Sequence, residues 1–506
     1  MSIASSQKGS KVGSVVALAS QLEASVRKAA EQGKRLHEVE RDILRQVLNI
    51  GKASVDELIA LQGDGDLGKT VLTEQGQELE RSEKPFERPL RTIFGEHVVR
   101  AYVYAPGPHQ AIALRPVDAR LGLPKGRYSY LFEEFSQHFC VEDAFGQASV
   151  GLETVLGQKV PVDTLERINR RLGQQAAAFL DELPTPPAKE EGELLVFSGD
   201  CKGVPLVRDD ARKVPAFEKT ERPGNRRMAT LAAVYSVDRY VRTPEQIVEA
   251  LFRDERTPRP KRRPQPCFKH LVARFGRTYE DGEETLESTG PIEAFSWAAE
   301  QLASRRRPRQ RVIRLMDGQP SLWQAADLCL GLSEDQAIDI LDVLHVSSYV
   351  WRAAKVFHSQ LEHQEAFARD RLLQILQGEV RKVIAGWRQM GSKRGLRGPA
   401  KEELQTVCGY LEANADRMRY DEYLRRGYPI ATGVIEGACR HLVKDRMERS
   451  GMRWRLLGAQ AMLELRAVYQ SSYWSRFHEE RVEQEQRSLH PHRALIGDYT
   501  PKRLAG

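Results

Sequence analysis

Three acidic residues stand where an enzyme could use them, and each has a glycine beside it. Asp200 comes shortly after the apolar run 194–197, and Asp317 comes directly after the run 312–316. Glu436 lies in the first turns of a predicted helix. The neighbouring glycines leave room for backbone or substrate to approach closely. Together the three carboxylates are candidates for a single catalytic site.

The chemistry that suits three such carboxylates is the cleavage and exchange of phosphodiester bonds. Two divalent cations about 3.5–4 Å apart activate an attacking hydroxyl and stabilise the departing oxygen. Hard cations such as Mg²⁺ take oxygen ligands, and they need few protein groups because water and phosphate complete the shell. We therefore predict that Asp200, Asp317 and Glu436 are catalytic and hold two Mg²⁺ ions, with Mn²⁺ as a substitute.

The elements that must position these carboxylates read as an α/β domain, because compact apolar runs alternate with helical periodicity. The last predicted strand ends at Asp342 and His345, which are candidate auxiliary residues, although His345 is equally well explained as structural. Acidic residues at strand ends occupy the edge where ligands gather in α/β folds. The predicted elements, in chain order, are strands at 194–197 and 228–237, a helix at 292–304, and strands at 312–316 and 338–344.

The segment 433–449 is predicted as one α-helix, with Thr432 as its cap. At α-helical spacing Glu436, Arg440, Lys444 and Met447 share a face. If Glu436 reaches the metals, Arg440 and Lys444 meet DNA phosphates; the alternative is that they pair with surface acids. The preceding residues 351–425 read as helical, with a basic, glycine-rich break at 391–399.

The N-terminal part reads as a separate DNA-binding region. Residues 1–80 have helical periodicity, and a hairpin is predicted around Gly95. Two helices separated by Gly157 and Gln158 then suggest a helix-turn-helix, whose second helix presents arginines to DNA; an ordinary helical hairpin fits as well. The proline-rich, charged segment 183–191 is the predicted domain boundary. The candidate DNA-binding arginines are Arg167, Arg170 and Arg171.

Composition fits an intracellular globular protein with a polyanionic partner. The 506 residues are 41% hydrophobic, and 77 Lys and Arg against 70 Asp and Glu give a net charge of +7, which permits a nucleic-acid partner without proving one. The six cysteines form no Cys-x-x-Cys pair, so a zinc ribbon and a disulfide framework are disfavoured. We expect a reducing bacterial cytoplasm, with association to the nucleoid, no secretory signal at 12–19 and no membrane partner.

Four segments resemble bacterial insertion-sequence transposases of the ISKra family, over roughly residues 85–475. The first two resemble that family's first and second catalytic motifs, and the third resembles the block around its last carboxylate. Cys201 departs from the pattern, since a smaller residue is expected beside Asp200. The segments are FSGDCKGV (197–204), RLMDGQPSLW (314–323), ATGVIEGACRHLVKDRM (431–447) continuing to SGMRW (450–454), and LGLPKGRYSY (121–130).

The resemblance implies a DDE transposase with a ribonuclease-H-like core that a helical insertion interrupts before Glu436. Asp342 and His345 resemble an Asp-x-x-His signature of Mutator-like relatives. The implied partner is double-stranded DNA, both the terminal inverted repeats of the element and the target, bound by a homo-oligomer. The implied domains are an N-terminal helical region (1–80), a hairpin and helix-turn-helix region (85–182), the two parts of the core (192–350 and 426–475), the insertion (351–425) and a charged tail (476–506).

Other interpretations stay open at this point. A non-catalytic DNA-binding protein derived from a transposase would keep the helix-turn-helix and lose the chemistry. A junction resolvase needs a similar acidic cluster but is usually much shorter, and a glycosidase has no use for the basic tracts 256–263 and 305–311. Those tracts are either phosphate contacts or solvated loops. His358 and His363 could bind a metal, but no further ligands have a recognisable spacing.

Overall fold

The computed structural model describes residues 14–215, 224–253, 263–281, 284–449 and 451–497. The chain forms two compact units, one of residues 1–169 with 475–506 and the other of residues 170–474. Both helices and strands are present, and the protein belongs to the mixed α/β class. No helix within the described ranges is long and apolar enough to span a membrane.

The first unit contains the predicted hairpin, but the predicted helical region 1–80 is helical only as far as Ala60, and two strands, Thr70–Leu72 and Glu78–Arg81, follow it. Two long helices open it, and the hairpin pairs Phe86–Thr92 with Gly95–Ala101, turning at Gly95, whose φ of +133° favours glycine. Its elements are α1 (Val15–Glu31), α2 (Leu36–Ala60), β1 (Thr70–Leu72), β2 (Glu78–Arg81), β3 (Phe86–Thr92), β4 (Gly95–Ala101), β5 (Tyr104–Ala105), α3 (Pro116–Leu121), α4 (Tyr130–Glu142), α5 (Phe145–Leu156) and the start of α6 (Val162–Asp181).

Two helices separated by a tight turn are found where the sequence suggested a helix-turn-helix. Gly157 ends α5 in the left-handed conformation, with a φ of +66°. The turn is held against the β3–β4 hairpin, because Arg91 donates to the side chain of Gln158 (2.8 Å) and Gln158 donates to the carbonyl of Ile93 (2.8 Å). Helix α6 begins at Val162 and is longer than the pattern suggested.

The second unit is built on a five-stranded mixed sheet, accompanied by a small hairpin and many helices. The described elements are β6 (Leu194–Pro205), α7 (Arg208–Ala211), β7 (Arg226–Val237), α8 (Pro244–Leu251), β8 (Cys267–Arg274), β9 (Arg277–Asp281), β10 (Glu284–Ser288), α9 (Gly290–Arg305), β11 (Val312–Met316), α10 (Pro320–Leu330), β12 (Ala337–Leu341), α11 (Val343–Phe357), α12 (Leu361–Leu376), α13 (Val380–Lys393), α14 (Gly398–Ala413), α15 (Tyr420–Arg425), α16 (Gly433–Ala438), α17 (Asp445–Met447) and α18 (Leu456–Gln470). Helix α19 (Trp474–Leu489) returns the chain to the first unit.

The strand order of the large sheet is β12-β11-β6-β7-β8. Strands β6, β7 and β8 are antiparallel neighbours, whereas β11 and β12 run parallel to β6. Strands β11 and β12 are almost entirely buried, which matches their continuous apolar sequence. The sequence analysis missed β8, which carries both Lys269 and the fully buried His270 and so lacks a continuous apolar run.

Two predicted strand ends need correction. Strand β6 does not end near Asp200 but continues to Pro205, because β7 pairs with it along its whole length. Strand β12 ends at Leu341 instead of residue 344, and Asp342 caps the following helix α11 by accepting from the backbone N–H of Leu344 (3.1 Å). His345 therefore lies in the first turn of a helix.

The boundary between the two units lies inside α6, at Asn169 and Arg170, and not in the proline-rich segment 183–191. The second half of α6 packs within the second unit: a Cβ atom on Gly173 would lie 2.4 Å from the Cβ atom of Ala461, and Trp297 donates to the carbonyl of Leu180 (2.8 Å). A helical pattern is local, so it cannot show which distant residues each half contacts.

Two arginines of the basic tract 305–311 contact this same region, whereas Arg309 and Arg311 are exposed in a loop. Arg305 forms two hydrogen bonds of 2.8 Å with the carboxylate of Glu191, and it also donates to the carbonyl of Val234. Arg307 donates to the carbonyl of Ala188 (2.7 Å). These hydrogen bonds fix the position of the proline-rich segment 183–191. Of the other tract, 256–263, only Arg263 falls within the described residues.

The C-terminal tail is less peripheral than its charge suggests. Phe477, His478 and Arg481 of α19 are buried, and Arg481 forms an ion pair of 3.0 Å with Glu133 of the same unit. Buried ion pairs need this kind of direct pairing, since an uncompensated charge is costly away from water.

Candidate active site

The register of the parallel strands brings three aspartates side by side. The last pair between β6 and β11 joins Phe197 to Arg314, and Asp200 and Asp317 each lie three residues beyond it. The last pair between β11 and β12 joins Met316 to Leu341, so Asp317 and Asp342 are the next residues on both strands. Carboxyl ends of parallel strands meet at one edge of a sheet. Asp200, Asp317 and Asp342 therefore occupy adjacent positions along that edge.

Asp200 lies at one end of this row of three aspartates, because the strand before Asp317, β11, stands between β6 and β12. One of its oxygens accepts from the backbone N–H of Cys201 (2.6 Å), and the other accepts from the thiol of Cys439 (3.2 Å). Burial raises the pKa of Asp200, and the neighbouring charge of Asp317 acts in the same direction. The side chain of Cys201 contacts the hydroxyl of Thr230 (3.3 Å), so the unexpected cysteine leaves both oxygens of Asp200 with these partners.

Asp342 is fully buried, and it ties the sheet edge to the start of α16. Its carboxylate accepts from the backbone N–H of Thr432 (3.2 Å) and from the Thr432 hydroxyl (2.8 Å). Thr432 stands at the helix N-cap as predicted, but its side chain donates to Asp342 and makes no cap hydrogen bond. Burial raises the pKa of Asp342. Since Glu436 is one turn into α16, Asp342 positions the glutamate.

Glu436 completes the cluster. Asp342, His345 and Glu436 each offer a ligand atom, and these atoms all lie within 4.8 Å of one another. Burial raises the pKa of the half-buried Glu436, the charges of Asp342 and Asp200 raise it further, and His345 acts against them. A bound cation stabilises carboxylates that are partly buried and repel one another. The donor set therefore fits a divalent cation.

Asp342, His345 and Glu436 lie together, and Asp200 and Asp317 occupy neighbouring positions of the same sheet edge, but among the described residues these two join no group of three possible metal ligands. Sequence reasoning missed two neighbours. Cys439 lies one turn after Glu436 within the same motif, and that spacing could have suggested it. Tyr410 of α14 lies near the site, where burial and the charges of Asp317 and Asp342 raise its pKa, and no sequence signal pointed to it.

The helix after Glu436 departs from the predicted α-helical face. Residues Cys439–Lys444 form a π-helical segment, whose turns are wider than those of an α-helix. Arg440 and Lys444 are exposed, whereas Met447 is fully buried, so the three do not share one face. Arg440 has one acidic neighbour, Asp445, at 3.9 Å. Arg440 and Lys444 are thus accessible, but the predicted α-helical face that joins them to Glu436 and Met447 is wrong.

The remaining predicted site residues lie elsewhere. Arg167 and Arg170 are exposed on α6, and Arg171 is half-buried. His358 and His363 have ring centroids 6.1 Å apart, but among the described residues they join no group of three metal ligands.

Comparison with known proteins gives little beyond these observations. No family model matches the chain, and no curated protein matches it. Among solved structures, the chain is similar to the Drosophila P element transposase strand transfer complex, with 11% identity, a TM-score of 0.24, and coverage of 72% of this chain and 91% of that chain. A TM-score this low carries no conclusion about the function of this protein. None of these comparisons supports the ISKra family specifically.

The glycines beside the three carboxylates differ in what surrounds them. A Cβ atom on Gly199 would lie 2.5 Å from the ring of Phe295, and one on Gly318 would lie 2.6 Å from the Tyr410 hydroxyl oxygen. At Gly437 no described atom would come within 4 Å. Close packing, not substrate approach, therefore explains the first two glycines.

This difference predicts that alanine substitutions at Gly199 and Gly437 change the free energy of unfolding by unequal amounts. We expect Gly199→Ala to lower the free energy of unfolding by about 2 kcal/mol, because the buried Phe295 ring must move. Gly437→Ala should change it by less than about 1 kcal/mol and can stabilise the helix. Urea unfolding of both variants measures the contrast. Equal stabilities would show that the sheet face around Gly199 is not tightly packed.

Proposed function

We propose that this protein is a DNA transposase that cuts and rejoins DNA through a metal-binding carboxylate cluster. The observation that carries the proposal is the alignment of Asp200, Asp317 and Asp342 along three adjacent parallel strands, with Glu436 of α16 close to Asp342 and within electrostatic reach of Asp200. The strand order and directions support a ribonuclease-H-like core, in which the helices between β12 and α16 would be the insertion. The element would be an insertion sequence of the ISKra kind.

Asp200, Asp317 and Glu436 would hold two Mg²⁺ or Mn²⁺ ions, and the imidazole of His345 would join them most readily with Mn²⁺. The bound ions supply activation of the attacking hydroxyl and stabilisation of the leaving oxygen. Asp200 is next to Asp317 along the sheet edge, and its charge also acts on Glu436. Asp342 keeps Glu436 in place through Thr432. The Cys439 thiol orients one oxygen of Asp200.

The substrate would be double-stranded DNA, namely the terminal inverted repeats and the target. In this proposal α5 and α6 read the repeats, and Arg167, Arg170 and Arg171 supply contacts from α6. Phosphate contacts position a protein on DNA, and side chains that reach base edges provide specificity. A homo-oligomer would hold two element ends together.

Arg440 and Lys444 are proposed to contact phosphates near the scissile one. Neutralising a phosphate releases counterions, so binding depends steeply on salt. Arg440→Ala and Lys444→Ala should lower DNA affinity and flatten the slope of log affinity against log salt by about one unit per lost contact. Arg425→Ala is the matched control, since Arg425 is exposed and paired with Asp421 (3.0 Å). Unchanged slopes in both test variants would show that Arg440 and Lys444 do not contact DNA phosphates.

The function is tested by incubating the protein with duplex DNA that carries the sequences flanking its gene. With Mg²⁺ or Mn²⁺, strands should be cut at defined positions and leave 3′-hydroxyl ends, and EDTA should stop the reaction. Sequence-specific binding without cleavage at any metal concentration would favour the alternative, a non-catalytic DNA-binding protein derived from a transposase.

A further inference from the structure

A large cavity lies beside helix α16 within the second unit. Its volume is about 950 Å³, and Gly433, Val434 and Gly437 of α16 form part of its wall. Strand β8 and the segment before α16 form other parts. Cavities of about 300–1,000 Å³ are typical of small-molecule sites. Glu436 is not among the lining residues, so this space is distinct from the carboxylate cluster.

The cavity is lined by cations that lack acidic partners. Arg242, Arg263 and Lys269 all border it, and within the described ranges no carboxylate comes within 4.0 Å of their charged nitrogens. Arg242 instead donates to the carbonyl oxygens of Tyr428 (2.7 Å) and Tyr240 (3.2 Å). One acid, the exposed Asp238, also lines the cavity.

Two of these cations, Arg242 and Lys269, are partly withdrawn from water, which disfavours their charged forms. Burial, together with the smaller effect of the charge of Arg263, lowers the pKa of Arg242 to about 10. Burial also lowers the pKa of Lys269. Positive charges that are partly withdrawn from water and repel one another attract an anion, and a bound anion reduces their repulsion.

Aromatic rings stand beside the cations. Tyr240 lies under the guanidinium of Arg242, 5.5 Å from ring centroid to Cζ, and Phe268 and Tyr473 also line the cavity. Bases stack on such rings without sequence preference, while the cations contact phosphate. Phosphate together with a flat ring is the chemistry of a nucleotide.

We propose that this cavity binds a nucleotide, with Lys269 and Arg263 contacting its phosphate and Arg242 shaping the wall. The nucleotide is either free or part of a single DNA strand, and both sources offer the same phosphate and base. The proposal does not depend on cleavage activity.

Calorimetric titration in EDTA tests it with two probes, ATP and a 5′-phosphorylated thymidine hexamer. At least one should bind the wild-type protein with a Kd below about 1 mM. Lys269→Gln and Arg263→Gln should each weaken that binding by about tenfold, because each removes a charged hydrogen bond. Arg425→Gln is the control. Tighter binding of ATP points to a free nucleotide, and tighter binding of the hexamer points to a DNA strand.

Acylation of lysines provides a second readout that does not need variants. Occupancy by the probe should protect Lys269 from a succinimidyl ester, as seen by mass spectrometry, while the exposed Lys382 reacts as before. The proposal is overturned if neither probe binds, or if Lys269→Gln and Arg263→Gln, folded as judged by their melting temperatures, bind both probes as the wild type does. Because no metal is present, a failure of DNA cleavage leaves this result unaffected.

Discussion

Glu436→Gln and Asp200→Asn should each lower DNA strand cleavage by at least about a thousandfold, while DNA affinity changes by less than about twofold. Both substitutions keep the size of the side chain and remove the charge that attracts a cation. Metal-assisted stabilisation of transition-state charge amounts to several kcal/mol, and about 4 kcal/mol corresponds to a thousandfold in rate. Single-turnover cleavage and fluorescence anisotropy measure the two quantities.

Glu412→Gln is the matched control, because Glu412 is an exposed carboxylate that pairs with Arg388 (2.6 Å) and is not one of the proposed metal ligands. It should cleave at the wild-type rate. Cleavage within about tenfold of the wild-type rate by either Asp200→Asn or Glu436→Gln would remove that residue from the catalytic set.

Much of the candidate site could be predicted because its signals are local. A short apolar run followed by an acidic residue is visible at Asp317 and Asp342, and parallel neighbours bring such ends together. The helical pattern of residues 351–425 is found as helices, and the expected break at 391–399 contains the end of α13 and the start of α14. These features depend on residues that are close together along the chain.

The features that could not be predicted depend on distant partners. Strand β6 continues past Asp200 because β7 pairs with it, and the division of the chain inside α6 depends on packing against residues such as Ala461. The π-helical segment after Glu436 has an α-helical sequence pattern, and only its packing shows that Met447 is buried. Tyr410 approaches the site from a helix almost a hundred residues beyond Asp317.

Asp342→Ala should lower the free energy of unfolding by about 3 kcal/mol. The substitution leaves the N–H groups of Leu344 and Thr432 and the Thr432 hydroxyl without their acceptor, and each loss costs about 1–3 kcal/mol. Relief of a buried charge offsets part of this cost. Urea unfolding at pH 7 measures the change, and cleavage should fall as well because α16 loses its attachment to β12.

Thr432→Val serves as the partial variant, because it removes the hydroxyl donor and keeps the backbone N–H. It should lower the free energy of unfolding by about 1 kcal/mol.

Burial raises the pKa of Asp342, so the folded state binds its proton more tightly than the unfolded state. The stability of the wild type relative to Asp342→Ala should therefore decline as the pH rises from the ordinary carboxyl pKa through the raised one. A loss below about 1 kcal/mol in Asp342→Ala would mean that Asp342 does not hold α16.

The most direct test of the proposed mechanism is a count of bound Mn²⁺ by electron paramagnetic resonance at pH 7.5. The wild-type protein should bind Mn²⁺, and Asp200→Asn and Glu436→Gln should each lose this binding, whereas Glu412→Gln should keep it. Binding should weaken as the pH falls through the raised pKa values of Asp200 and Glu436, since protons compete with the ion. If the wild type binds no Mn²⁺, or if both variants bind as much as the wild type, the carboxylate cluster is not a metal site and the proposed mechanism is wrong.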